Sequence, residues 1–447
     1  MPKRKKRSFF LPVKSSDKVK QSKVTTTAAG DLSEEIDSDN LSDLDTESKR
    51  QEDKKKVKKP ELVSEETPQE KRLRLAKQYI SELGEVGEPD HLEQDGFDSI
   101  GERLQQEALE QSGRLYRQLS DVIRIDPTPS HSMGAHKGSI TALVLSPDET
   151  VLFSACKDAV LIKWDLRAAI RLTTFNDPHR SNIKQYHSSR ILSLAVSSDG
   201  KLLASGGTEC KVEIWNVSSC EHIHTFSGHK GAVTGLTFRR GSCDLYSASV
   251  DRTVKVWNAE SLTYVETLFG HESAITGIDS LHAERAVTSG GLDRSLRVWK
   301  IAEETQLLYQ SSTSAIDCIK FVTKDMFVAG SQDGSIYLWG VTKKRPLFVQ
   351  EKAHEGWISS LYAVSSSDVI ISGSNDGYVR IWKLDQSKKS LELIHSLPVT
   401  GFVNSILMTY NGDKLIIGAG REHRLGRWFC DKSAKNVILI LEFNQQT

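Results

Sequence analysis

The chain has 447 residues and carries 59 Lys and Arg residues against 59 Asp and Glu residues, so its formal net charge is zero. A zero net charge excludes a global field that holds the protein on nucleic acid or membrane, and any basic binding surface must be local. The six cysteines form no C-x-x-C pair, which argues against a zinc site or a disulfide framework. Because no apolar run approaches the ~18 residues of a transmembrane helix, we expect an intracellular, soluble protein with no membrane partner.

The chain begins with blocks of like charge. Residues 1–30 carry nine basic side chains and one acid, and residues 31–47 carry eight acids and no base. This composition buries too little apolar area to offset chain entropy, which predicts a disordered tail over residues 1–60. One compact basic run is typical of a nuclear or nucleolar localisation signal, although a merely solubilising tail is the alternative. The run consists of Lys3, Arg4, Lys5, Lys6 and Arg7.

Residues 61–120 are predicted to form a helical extension. Over residues 65–83, Leu73, Ala76 and Ile80 recur at helical spacing, and residues 98–119 contain a second amphipathic pattern. Each apolar face needs a partner surface, either on the domain that follows or on another protein. The sequence leaves this choice open.

The rest of the chain, residues 121–447, contains seven repeats that each end at a tryptophan. The tryptophans are 40 to 51 residues apart and are Trp164, Trp215, Trp257, Trp299, Trp339, Trp382 and Trp428. Each one ends an alternating β-branched run such as TVKVW, and turn residues separate that run from an apolar one before it. The pattern predicts a small antiparallel sheet in every repeat.

A carboxylate stands six residues before each tryptophan, and five repeats add a histidine and a serine at fixed spacing. The five sets are His136, Ser154, Asp158 and Trp164; His187, Ser205, Glu209 and Trp215; His229, Ser247, Asp251 and Trp257; His271, Ser289, Asp293 and Trp299; and His354, Ser372, Asp376 and Trp382. The fifth and seventh repeats lack both the histidine and the serine. Joint presence and joint absence predict that these side chains touch.

Gly-His near the start of a repeat, Asp in its last turn and Trp at its end resemble WD40 repeats. The resemblance implies an all-β fold, a seven-bladed WD40 β-propeller over residues 121–447, preceded by the charged tail and the two α-helices. Each blade would have four strands around a central channel. Either residues 121–126 or residues 437–443 could supply the outer strand of the last blade.

Ser, His and Asp together are also the parts of a hydrolase triad. No enzyme needs five equal nucleophiles on one ring, whereas a repeated buried hydrogen-bond network satisfies polar groups in every blade. The sequence also lacks G-x-S-x-G, Walker and H-E-x-x-H motifs. We therefore predict a binding scaffold that is not an enzyme and uses no cofactor, metal or small-molecule substrate.

In WD40 propellers the Gly-His and Asp turns crowd one face, called here the first face, and the remaining turns crowd the second face. Basic residues expected on the second face form a candidate phosphate-binding arc, with solvated loops as the alternative. They are Arg239, Arg240, Lys343, Lys344, Arg345, Lys388, Lys389, Lys432 and Lys435. Further RNA-binding candidates lie near the last turn carboxylate and in a long loop before His187. They are Arg421, Arg424 and Arg427, and Arg180 and Lys184.

Several segments in order narrow the resemblance, among them ETPQEKRLRLAKQYISEL, RLYRQLSDVIRI, LTFRRGSCDLYSASVDRTVKVWN, KKRPL and EHRLGRW. Over about residues 65–430 the chain resembles the WD40 proteins of the U3 small nucleolar ribonucleoprotein. The resemblance implies a nuclear and nucleolar location and binding of the box B/C region of U3 small nucleolar RNA beside a kink-turn-binding protein. It also implies partners in the small-subunit pre-ribosomal particle and a role in pre-ribosomal RNA processing.

Two other binding functions stay open from the sequence. Trp164, Asp165, Leu166 and Arg167 match the W-D-x-R box by which substrate receptors of cullin-RING ubiquitin ligases bind their adaptor. A chromatin or peptide reader would instead use an aromatic cage at the channel mouth. Trp357 is the tryptophan that lies outside the strand positions, and it either is exposed for binding or fills a gap.

Overall fold

The computed structural model describes residues 116–120, 123, 131–134, 136–176, 187–310, 314–427 and 429–443. In these ranges the chain forms 28 β-strands and a short 3-10 helix, Ile301–Glu303. The strands form seven four-stranded antiparallel sheets, and each sheet is one blade of a propeller. No helix of the described ranges is long and apolar enough to cross a membrane.

The first strand, β1, is His131–Met133. Blades 1 to 3 follow in chain order. Blade 1 is β2 (Ile140–Leu145), β3 (Val151–Cys156), β4 (Leu161–Asp165) and β5 (Ile170–Asn176). Blade 2 is β6 (Ile191–Val196), β7 (Leu202–Gly207), β8 (Lys211–Asn216) and β9 (His222–Ser227). Blade 3 is β10 (Val233–Phe238), β11 (Asp244–Ser249), β12 (Thr253–Asn258) and β13 (Thr263–Phe269).

Blades 4 to 7 repeat the arrangement. Blade 4 is β14 (Ile275–Ser280), β15 (Arg285–Gly290), β16 (Ser295–Lys300) and β17 (Thr305–Gln310). Blade 5 is β18 (Ile316–Thr323), β19 (Met326–Ser331), β20 (Ile336–Gly340) and β21 (Phe348–Gln350). Blade 6 is β22 (Ile358–Ala363), β23 (Val369–Ser374), β24 (Tyr378–Asp385) and β25 (Ser390–Pro398). Blade 7 is β26 (Phe402–Met408), β27 (Lys414–Gly420), β28 (Val437–Glu442) and β1.

The core lies between neighbouring blades. Successive side chains of a strand point to opposite faces of its sheet, and both faces of a blade pack against a neighbour, so the second strand of each blade is buried at nearly every position. Between blades 6 and 7, for example, Ile371 and Ile381 pack in one cluster with Val403, Ile406 and Leu415. Each such core cluster is therefore shared by two neighbouring blades.

The inner strands form a closed ring around a channel of about 910 Å³. The innermost strand of each blade adjoins that of the next, and β26 returns to β2. Side chains link the inner strands across the blades: the Thr141 hydroxyl donates to the Ile191 carbonyl at 2.7 Å. The Asn404 amide closes the ring by donating to the Ile140 carbonyl at 2.8 Å.

Blade 7 differs from the expected closure. Its outer strand is β1, and residues 437–442 form its third strand instead of its outer one. Leu441 stands opposite Leu415 in blade 7, at the register position where Trp382 stands opposite Ile370 in blade 6. The seventh repeat thus has no tryptophan in its third strand, because a long connection separates β27 from β28. Trp428 lies outside the described residues.

The segment before β1 contacts the connection between β22 and β23 of blade 6. Arg117 pairs with Ser367 in a parallel β-bridge, and the buried Asp368 carboxylate accepts the Leu119 N–H at 2.8 Å. A β-bridge needs extended backbone, so the predicted helix over residues 98–119 does not extend through residues 116–119. The rest of both predicted helices and the charged tail lie outside the described residues.

Candidate nucleic-acid interface

Polar side chains meet beneath the first face in a repeated arrangement. In blade 3, Ser247 accepts the Trp257 indole N–H at 2.8 Å and lies 2.7 Å from His229 Nε2. His229 Nδ1 lies 2.9 Å from the Asp251 carboxylate. Burial alone raises the pKa of Asp251, but hydrogen bonds from Thr253 and from the Lys230 N–H lower it to about 2. Blade 6 repeats the geometry with its own set of His354, Ser372, Asp376 and Trp382.

Blade 4 uses a different hydroxyl from the predicted one. His271 Nε2 and the Trp299 indole N–H both meet Thr288 Oγ1 at 2.8 Å, whereas Ser289 bonds to Thr276. Neighbouring residues of a strand face opposite sides, so only one of the two hydroxyls can reach the tryptophan. The turn after β15 contains one more residue than in blade 3, since Thr288 lies 11 residues before Trp299 but Ser247 lies 10 before Trp257.

Blades 1 and 2 keep the histidine and serine without the carboxylate. Their histidines meet Ser154 and Ser205 at 2.7 and 2.8 Å, but Nδ1 of His136 and of His187 has no hydrogen-bond partner among the described residues. Burial lowers the pKa of His136 to about 4. Glu209 accepts the backbone N–H of Ser188, the residue after His187, as Asp251 accepts that of Lys230 in blade 3, but it does not bond to the histidine ring. In blades 1 and 2 the predicted acids Asp158 and Glu209 therefore do not join the network.

These networks stabilise the fold and do not present a nucleophile. Each serine of the five sets is fully buried, and where the hydroxyl belongs to a network it already accepts a tryptophan N–H. A buried hydroxyl with both neighbours satisfied has no access to a substrate. In blade 5, where Ala329 replaces the serine, the Trp339 indole N–H has no partner among the described residues.

The predicted basic residues of the second face divide into paired and unpaired cations. Arg239 forms ion pairs with Asp244 at 3.3 Å and with Glu284 of the next blade at 2.9 Å. Lys388 pairs with Asp385 at 3.3 Å. Their charge is already matched by acids of this chain, so these two side chains have less to gain from a phosphate.

Four cations of blades 5 and 6 are exposed and form no ion pair in the described part of the chain. They are Lys343, Lys344, Arg345 and Lys389, from the connections β20–β21 and β24–β25. A groove of about 380 Å³ lies between these connections, and its charged lining residues are Lys324, Asp325, Lys343 and Lys389. Lys343, Lys344, Arg345 and Lys389 are called the blade 5–6 cation cluster.

Two predicted arginines extend across the channel instead of outward. On the second face, Arg240 of blade 3 donates to the Ser365 hydroxyl of blade 6. On the first face, Arg424 of blade 7 donates to the carbonyls of Thr276 at 2.8 Å and Asp317 at 3.2 Å, in blades 4 and 5. Burial lowers the pKa of Arg424 from its ordinary value.

The connection over residues 421–436 carries Arg424 and lies on the first face, since it joins the second and third strands of blade 7. Lys432 and Lys435 therefore belong to the first face and not to the expected second-face arc. Trp357 packs edge-on against His423 and Phe429 of this connection, with ring centroids 5.9 and 6.2 Å away. Trp357 is half-buried in these contacts, and Phe429 is 61% exposed.

The remaining first-face candidates also have partners in this chain. Glu422 forms ion pairs with Lys157 at 2.8 Å and with Arg427 at 3.3 Å. The Arg421 guanidinium donates to the Ala434 carbonyl at 2.8 Å. Arg180, Lys184 and the basic run over residues 3–7 lie outside the described residues.

Comparisons with known proteins agree with this architecture. Residues 129–338 match the family described as WD repeat-containing protein 75 second beta-propeller, and residues 345–383 match WD domain, G-beta repeat. U3 small nucleolar RNA-interacting protein 2 of Homo sapiens is 45% identical over 392 residues, covering 84% of this chain and 82% of that protein. The chain belongs to the U3 small nucleolar RNA-interacting protein 2 family.

Two further relatives fit the U3 small nucleolar RNA-interacting protein 2 family. Ribosomal RNA-processing protein 9 of Saccharomyces cerevisiae is 24% identical over 514 residues, covering 85% of this chain and 90% of that protein. A solved structure described as "Structure of U3-55K" has a TM-score of 0.68 and 43% identity, covering 71% of this chain and all of that one. No catalytic family is indicated by these matches.

The W-D-x-R box has a local structural explanation in this family member. Asp165 accepts the backbone N–H groups of Arg167 and Ala168 at 2.8 and 3.1 Å, which closes the turn after β4. Asn216 closes the corresponding turn of blade 2 in the same way. Because Asp165 stabilises its turn as Asn216 does in blade 2, the presence of Asp165 is explained without an adaptor protein.

Sequence reasoning missed three basic side chains on the second face. His282, Arg285 and Lys324 lie in or beside the connections between the first and second strands of blades 4 and 5. These are the counterparts of the connection that holds Arg239 and Arg240. The available signal was this equivalence of position, because none of the three stands next to another basic residue in the sequence.

Proposed function

We propose that this protein is a non-catalytic RNA- and protein-binding scaffold of the U3 small nucleolar ribonucleoprotein. It binds the box B/C region of U3 RNA together with a kink-turn-binding protein and acts in pre-ribosomal RNA processing for the small subunit. The names of the human and yeast relatives support the RNA and the process. The unpaired blade 5–6 cation cluster carries the assignment of the RNA contact to the second face.

The proposed binding relies on fixed geometry. RNA helices are recognised mainly by shape and by contacts to phosphate and ribose, so cations held at set positions by rigid blades suit the task. Lys343, Lys344 and Arg345 have no carboxylate partner in the described chain, so no internal ion pair must break when a phosphate binds. A chain of zero net charge binds naked RNA weakly, and the kink-turn-binding protein supplies the shaped RNA.

We also propose the domain organisation that accompanies this role. Residues 1–60 form a tail that carries the localisation signal for the nucleus and nucleolus, residues 61–120 form the helical extension, and residues 121–447 form the propeller. The extension and the propeller contact proteins of the small-subunit pre-ribosomal particle.

The experiment compares two variants, each of which loses three positive charges from one face of the propeller. The variant K343A/K344A/R345A empties part of the blade 5–6 cation cluster, and K230A/K432A/K435A removes three exposed cations without ion pairs from the first face. Binding to U3 RNA preassembled with the kink-turn-binding protein is measured over a range of salt concentrations. Each lost phosphate contact lowers the slope of log affinity against log salt by about 0.7–0.9, so the second-face variant should lose roughly 2.

The control should keep the affinity and the slope of the unmodified protein. Equal retention of U3 RNA by the second-face variant would remove the blade 5–6 cation cluster from the proposal. Loss of binding in the first-face variant alone would move the RNA contact to the opposite face.

A further inference from the structure

The channel narrows to a small basic cavity where it opens on the second face. The cavity has a volume of about 110 Å³ and is formed by the connections between the first and second strands of five successive blades, 3 to 7. Its principal lining side chains are Arg240, His282, Arg285, Lys324 and Tyr410. It is called the mouth cavity below.

The mouth cavity is built for an anion. Arg240, Arg285 and Lys324 line it, and no carboxylate does. Neither Arg240 nor Arg285 forms an ion pair within the described ranges. Ser365 and Ser366 add hydroxyl groups to the lining, and burial, together with the nearby Arg240 charge, lowers the pKa of His282. Leu281, Ala283 and Phe321 supply an apolar part of the lining, and the polar part carries an excess of hydrogen-bond donors and positive charge.

The volume of the mouth cavity limits the ligand group that it can bind to a small one. A protein cavity of about 150 Å³ holds one benzene ring, so the mouth cavity of about 110 Å³ holds a group of a few heavy atoms and not a whole nucleotide. A phosphate fits this volume, and the planar arginine guanidinium binds its oxygens in pairs. Arg240 is already held over the cavity by its bond to Ser365, which reduces the entropy lost when it binds.

The mouth cavity is continuous with the surface proposed to bind RNA. Lys324 lines both the mouth cavity and the groove beside Lys343 and Lys389. A backbone that follows the blade 5–6 cation cluster can therefore place its next phosphates over the channel.

We propose that the mouth cavity binds a single backbone phosphate of U3 RNA, held by Arg285, Lys324 and Arg240. This inference rests on the proposed function, because it assumes that RNA lies on the second face. The same phosphate chemistry could come from a free mononucleotide, and the experiment separates the two sources.

The experiment compares Arg285→Gln with Arg294→Gln in the full chain. Arg294 is an exposed arginine of the same blade on the first face and forms no ion pair in the described ranges, so its variant is a matched control. U3 RNA with randomly ethylated phosphates is bound in the presence of the kink-turn-binding protein, and ethylated positions that block binding are mapped. R285Q should bind unmodified U3 RNA about tenfold more weakly and lower the salt slope by about 0.7–0.9. It should also lose one blocking phosphate that R294Q retains.

A second variant and a competitor complete the test. Lys324→Gln should lose the same blocking phosphate, and thermal unfolding of each variant shows whether the fold is intact. Adenosine monophosphate at 1 mM, about a typical upper metabolite concentration, should leave U3 RNA bound. If it displaces the RNA from the unmodified protein but not from R285Q, the cavity serves a free nucleotide and the RNA assignment is overturned.

Failure of this inference is distinguishable from failure of the proposed function. If K343A/K344A/R345A weakens binding while R285Q keeps every blocking phosphate and full affinity, the mouth cavity does not hold RNA and the second-face assignment stands. If neither variant changes binding, both proposals fall.

Discussion

Replacing Ser247 by alanine tests the structural role of the repeated polar networks. The Ser247 side chain is fully buried, accepts the Trp257 indole N–H at 2.8 Å and meets His229 Nε2 at 2.7 Å. The substitution leaves the tryptophan donor and one imidazole nitrogen buried without a partner. Each such group costs about 1–3 kcal/mol, so S247A should lower the free energy of unfolding by roughly 2–6 kcal/mol.

Urea unfolding of the full chain, followed by tryptophan fluorescence, measures this loss. Ser218 is exposed on the second face and belongs to no network, so S218A should change the free energy by less than about 0.5 kcal/mol. S247A should retain U3 RNA below its unfolding transition, because the RNA-binding cations are elsewhere. A loss in S247A no larger than that in S218A would refute the structural interpretation of the networks.

Three further predictions follow from individual contacts. Ala329→Ser should stabilise the protein by about 1 kcal/mol in the same urea assay, because its hydroxyl can accept the buried Trp339 N–H; an unchanged midpoint would mean that the hydroxyl does not reach it. Arg424→Met should cost roughly 2–4 kcal/mol, since it removes a guanidinium that bonds to two carbonyls across the channel, and full stability would contradict that role. Burial lowers the pKa of His136 from 6.5 to about 4, so the unfolded chain takes up the proton first as the pH falls. The free energy of unfolding should therefore decrease between about pH 6.5 and pH 4, and His136→Asn should show a smaller decrease; equal pH slopes would contradict this.

The sequence predicts the blades well because each blade is a local structure. The strands of blades 1 to 6 are consecutive in the chain, so their spacing and turn residues are visible in a single repeat. Blade 7 is different, because β1 and β28 come from opposite ends of the propeller. A repeat count that ends at residue 428 therefore assigns the last third strand incorrectly and moves Lys432 and Lys435 to the wrong face.

Spacing alone also cannot choose between adjacent side chains. Thr288 and Ser289 are neighbouring hydroxyls, and one extra turn residue decides which of them faces Trp299. The pairing of surface charges is equally hidden, because it depends on contacts between blades. Arg239 is neutralised by Glu284 of the next blade, whereas Lys343 has no carboxylate partner in the described chain.

Crosslinking tests the second-face assignment most directly. U3 RNA assembled with the full chain and the kink-turn-binding protein is irradiated, and the crosslinked peptides are sequenced by mass spectrometry. The crosslinks should fall in the second-face connections, residues 281–285, 324–325 and 341–347. Crosslinks confined to residues 421–436 and the other first-face turns would contradict the assignment of the RNA contact to the second face.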